Sequence, residues 1–79
     1  MSADERLAAA ERALAEHGVP GAAVEAEGHQ REIAAVRVGA AGWERMLGPE
    51  GASIAEAVKA AGFRYVALDL APADDPAAG

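Results

Sequence analysis

Alanine sets the limits on what this chain can build. It supplies 23 of the 79 residues, and only 18 hydrophobic side chains are larger. Alanine gives up almost no side-chain entropy on folding, but it also removes little apolar area from water. The length suits one domain, and folding hides only roughly 60% of the surface that an extended chain of this size exposes. The core is therefore expected to be thin, with about 3–5 kcal/mol to spare unless something braces it. Burial of one face against another chain is such a brace.

Several function classes are disfavoured by composition. There is no cysteine, which removes disulfides, thiolate metal ligands, a cysteine nucleophile and a sacrificial sulfur donor, and which suits a cytoplasmic location. The formal net charge of −6 repels phosphate backbones and argues against a nucleic acid partner. Apolar runs are too short to span a bilayer, so no membrane association is expected. The start, Met1-Ser2-Ala3-Asp4-Glu5, is acidic and unlike a signal peptide.

Residues 3–17 read as a helix. Ser2 and Glu5 form the S-x-x-E capping pattern, Leu7, Ala10 and Leu14 share a face, and Gly18 and Pro20 stop the helix. His17 lies at its negative end. Residues 22–27 and 32–38 alternate with period two, so Val24, Val36 and Val38 fall on one side, with Gly28-His29-Gln30 as the turn between two antiparallel strands. Residues 40–47 read as a short helix carrying Trp43, Met46 and Leu47, with Trp43 expected in the core. The Gly48-Pro49-Glu50-Gly51 stretch breaks it. Residues 53–61 read as a further helix, capped by Ser53 with Glu56 and ended by Gly62, after which Phe63 packs back. Residues 64–70 form the clearest strand, with Val66, Leu68 and Leu70 on one side and Tyr65, Ala67 and Asp69 on the other.

The order α-β-β-α-α-β predicts an α+β two-layer sandwich: a three-stranded mixed sheet with helices on one face. The last strand follows a helical crossover and is expected to lie parallel to a neighbour; the strand order stays open. Residues 1–70 make a single domain, and 71–79, rich in Pro, Asp and Ala without apolar period, read as a disordered acidic tail. The face away from the helices would carry Glu25, Glu27, Ile33, Arg37, Tyr65 and Asp69, a mixed surface suited to solvent or to a wet interface.

Neither phosphate-cradling glycine motif is present, nor is H-E-x-x-H. His17 and His29 lie on separate elements with no ligand spacing between them. Ser2 and Ser53 are better explained as helix caps than as nucleophiles, so no self-contained catalytic constellation is visible.

The run Ala57-Val58-Lys59-Ala60-Ala61-Gly62-Phe63-Arg64-Tyr65-Val66-Ala67-Leu68-Asp69-Leu70 resembles the C-terminal segment of the ATP-dependent sacrificial sulfur transferases. These belong to the PP-loop ATP pyrophosphatase superfamily and make the nickel-pincer nucleotide cofactor. Their chains end in a helix followed by a G-F-x-Y-V-x-L-D-L strand. Glu32-Ile33-Ala34-Ala35-Val36-Arg37-Val38 resembles the second strand of the same region, and Trp43, Met46 and Leu47 fall on a short leucine-rich helix there. The resemblance covers roughly residues 19–70.

The departures bear on chemistry. The family's catalytic PP-loop domain, with its S-G-G-x-D-S phosphate loop, has no counterpart in these residues. Where the family's first strand carries arginines, this chain has Glu25 and Glu27, which repel phosphate. The family's Gly-Tyr-Arg-Ser-Gly continuation is replaced by Ala71-Pro72-Ala73-Asp74.

The resemblance thus implies the fold and a pathway rather than the activity. It points to a non-catalytic assembly or partner-binding module that self-associates or acts with a separately encoded PP-loop ATP pyrophosphatase partner. No cofactor is expected. The partner-binding residues are expected to be Glu25, Glu27, Arg37, Tyr65 and Asp69. The alternative is a small-molecule or metal-binding module that uses the 27–31 hairpin, with His29, and the 48–53 loop.

Overall fold

A computed structural model describes residues 2–69; Leu70 and the expected tail over 71–79 lie outside the described residues. Helix α1 spans Ala3–Glu16. Ser2 caps it, accepting the Glu5 backbone N–H at 3.1 Å, and its hydroxyl donates to the Glu5 carboxylate at 3.2 Å. Glu5 thus closes the motif on the serine side chain. The other end is a full Schellman motif. Gly18 takes φ +85°, its N–H reaches the Ala15 carbonyl, and the Val19 N–H reaches the Leu14 carbonyl at 2.8 Å. Leu14 and Val19, the hydrophobic pair of that motif, are both buried.

Strands β1 (Ala23–Glu27) and β2 (Ile33–Arg37) pair antiparallel, with Val24 opposite Val36 and Glu27 opposite Ile33. Helix α2 (Ala40–Leu47) and helix α3 (Gly51–Lys59) follow, and β3 (Tyr65–Leu68) returns parallel to β2. The sheet order is β1-β2-β3, so β2 is central. Among the described residues, three helices and a three-stranded mixed sheet make the α+β architecture that the order of elements predicts.

The core lies between the sheet and the helices. Ala10 and Leu14 from α1 and Ile54 and Val58 from α3 meet Val24, Ala34, Val36 and Val38, with Ala61 and Phe63 closing one end. Five large side chains (Leu14, Ile54, Val36, Val38 and Val58) are fully buried. Each contributes about 1.5–3 kcal/mol of transfer free energy. Helix α2 buries none of its residues. Trp43 and Met46 are half-buried against the core, and Leu47 stands 71% exposed.

One cap is corrected. Helix α3 begins at Gly51, so Ser53 is an exposed residue inside its first turn, and Glu50 occupies the cap position without a side-chain cap bond. The Glu50 carbonyl accepts the Ile54 N–H at 3.0 Å, and the Gly48 carbonyl accepts that of Gly51. Gly51 lies against the Met46 carbonyl, in a space that excludes any Cβ. At the far end the helix stops at Lys59 with Ala60 as its cap, two residues short of the expected end at 61. Gly62 still makes the turn at φ +118°, the Phe63 N–H returns to the Lys59 carbonyl at 3.1 Å, and Phe63 is buried as expected.

Candidate functional site: the open sheet face

Helices α1 and α3 pack on one side of the sheet, with Trp43 and Met46 of α2 against the same core, and the strand register fixes what the other side presents. Ala23, Arg37 and Asp69 form one row across it. Glu25, Ala35 and Ala67 form the second, and Glu27, Ile33 and Tyr65 the third. All five residues expected to bind a partner therefore share this face. The centre is apolar and small, and the charges stand at its borders.

Arg37 and Asp69 are joined directly. The Arg37 Nη2 donates to Asp69 Oδ2 at 3.0 Å, and its Nε lies 3.4 Å from the same oxygen. The Asp69 N–H donates to the Val36 carbonyl at 2.7 Å, which carries the pairing one residue beyond β3 and sets the carboxylate beside the guanidinium. Both side chains remain partly exposed, at 40% and 32%, so this pair orients more than it stabilises. At the opposite corner Tyr65 is 59% exposed, beside half-buried Ile33. Glu25 and Glu27 are exposed on edge strand β1, and neither forms an ion pair among the described residues. A partner seated here meets a centre of small apolar side chains, one aromatic ring, two carboxylates without an ion pair among the described residues and one neutralised ion pair.

The second candidate region contains two structural joints. In the 27–31 hairpin, Arg31 adopts φ +55° and donates from Nη1 to the Ala26 carbonyl at 3.1 Å. A left-handed conformation in a residue other than glycine is uncommon, and here it turns the arginine back onto the strand. His29 is exposed at the tip, and among the described residues no group of three or more His, Asp or Glu is placed to hold a metal ion. At 48–53, Glu50 pairs with Arg45 at 2.7 Å, and Arg45 Nε donates to the His17 carbonyl. This arginine ties the C-terminus of α1 to the corner between α2 and α3.

Arg6 is a further joint that sequence reasoning passed over. Its Nη1 donates to the Arg31 carbonyl at 3.0 Å and to the Gly62 carbonyl at 3.1 Å, and its guanidinium lies 5.0 Å from the centre of the Phe63 ring. One side chain holds α1, the hairpin turn and the entry to β3. The signal was there: a cation four residues past the N-cap opposes the helix dipole, which suggests that its charge is used elsewhere.

No helix among the described residues is long and apolar enough to cross a membrane. No protein-family model matches this chain, and a search of the curated proteins finds no match.

Proposed function

We propose that the chain is a non-catalytic assembly or partner-binding module of the kind that the resemblance to PP-loop sulfur transferases implies. Its open sheet face docks on another polypeptide, a PP-loop ATP-using protein or a second copy. The observation that carries this reading is the character of the bare sheet face: small apolar residues Ala35 and Ala67 with Ile33, bordered by Glu25, Glu27, exposed Tyr65 and the Arg37–Asp69 pair. The thin core supports it, because a small domain gains stability by covering such a face. The small-molecule or metal reading has less behind it, since Arg31, Arg45 and Glu50 already brace the fold.

Co-expression with a PP-loop ATP pyrophosphatase from the same source tests the proposal. The tagged chain is expected to retain that protein, and Ala35→Arg, which sets a long cation at the centre of the face, is expected to release it while the circular dichroism spectrum stays unchanged. Retention that ignores Ala35→Arg, or no retention, contradicts docking of a PP-loop protein on this face.

A further inference from the structure

The two outer edges of the sheet are unequal. The Tyr65 and Asp69 N–H groups donate to the Glu32 and Val36 carbonyls, so residues 65, 67 and 69 direct their backbone groups toward β2. By the same parity β2 turns Ile33, Ala35 and Arg37 toward β1, and they pair with Glu27, Glu25 and Ala23. The outward backbone groups are then those of Val24 and Ala26 on β1, and those of Val66 and Leu68 on β3.

The β1 edge is guarded. Arg31 occupies the outward Ala26 carbonyl. A two-fold pairing of β1 centred on Glu25 sets that residue against itself, and one centred on Ala26 sets Glu25 against Glu27. Like charges directly opposite oppose pairing. The β3 edge has no such guard among the described residues. It carries no charge between Tyr65 and Leu68, and Val66 and Leu68 are only half-buried.

We infer that β3 is the seat of a second copy of this chain, joined edge to edge and antiparallel about a two-fold axis through Ala67. This inference rests on the assembly reading above and adds a second copy at the β3 edge, which leaves the open face to the other partner. Val66 then faces Leu68 of the other copy, and the reverse. Each such pair exchanges two backbone hydrogen bonds, because both residues point outward. Ala67 meets its own equivalent in the close, non-hydrogen-bonded position. Tyr65 falls opposite Asp69 of the other copy and beside that copy's Arg37, so each exposed ring lands against an ion pair. The patch is self-complementary, as an isologous interface must be. The two three-stranded sheets become one of six strands, with both helix layers on the same side.

The absence of cysteine from the chain makes the test direct. In Ala67→Cys the two thiols sit in the pairing position with the shortest Cα separation, within disulfide range. Under mild oxidation it is expected to form a covalent dimer roughly tenfold or more faster than Glu25→Cys on the opposite edge. Multi-angle light scattering on the unaltered chain is expected to show a dimer. Ala67→Glu and Ala67→Lys are each expected to weaken it roughly tenfold or more, and mixing the two is expected to restore it as a heterodimer. Ala67 is exposed, so these variants keep the monomer fold, which circular dichroism verifies. A monomer at high micromolar concentration, equal oxidation of the two cysteine variants, or a dimer indifferent to both charges overturns the inference. Release of the PP-loop protein by Ala35→Arg alongside any of those results leaves the docking proposal standing and removes only the second copy.

Discussion

At the scale of single residues, arginines do work that the apolar core is too small to do. Arg6 gathers two carbonyls and an aromatic ring. Hydrogen bonds from a charged donor contribute about 1.5–3 kcal/mol, discounted here because the contacts are solvent-exposed. Arg6→Met keeps much of the aliphatic stem and is expected to lower unfolding free energy by about 1–2 kcal/mol in a urea titration. Gly62→Ala strikes the same joint from the other side. Its φ of +118° disfavours any Cβ, which would also lie 2.7 Å from the Arg6 Cδ, so a loss of about 1 kcal/mol or more is expected in the same titration. The Arg37–Asp69 pair differs. A double-mutant cycle on Arg37→Ala and Asp69→Ala is expected to give a coupling below about 1 kcal/mol, as for other exposed pairs. A larger value would assign this pair a structural task instead of an orienting one.

At the scale of elements, local signals were legible where the cause was local. Period-two alternation placed Val24, Val36 and Val38 on the core side, and Gly18 and Gly62 stopped their helices at positive φ. The two S-x-x-E patterns look alike in sequence yet differ in the fold. Ser2 caps α1, whereas Ser53 lies inside α3, which begins at Gly51 in close contact with the Met46 carbonyl. That contact belongs to the α2–α3 corner, which a capping pattern does not describe. Ser2→Ala is accordingly expected to cost about 1 kcal/mol, and Ser53→Ala to change stability by less than about 0.5 kcal/mol, or to raise it slightly through helix propensity. Chemical denaturation of both variants checks this. Strand order was not legible, because β1 and β2 share the same alanine-rich alternation and nothing in residue type marks the centre. The Arg37–Asp69 pairing was hidden for a related reason: it joins positions 32 residues apart that only the parallel return of β3 brings together.

At the scale of the whole molecule, asymmetry is the governing feature. Helices cover one side of a three-stranded sheet and leave the other to a grid of small apolar residues bordered by Glu25, Glu27, Tyr65 and the Arg37–Asp69 pair. The composition of that face was legible from the strand alternation alone. Its arrangement in rows and its unequal edges were not, since they depend on register and on the backward turn of Arg31. A photo-activatable benzoylphenylalanine at position 35, compared with one at Glu11 on the exposed surface of α1, measures directly whether another chain covers this face in the cell. The expected result is a strong adduct from position 35, to a PP-loop protein or to a second copy, and little from position 11. Equal labelling from both positions, or none from position 35, would contradict the proposal that the bare face is where this protein acts.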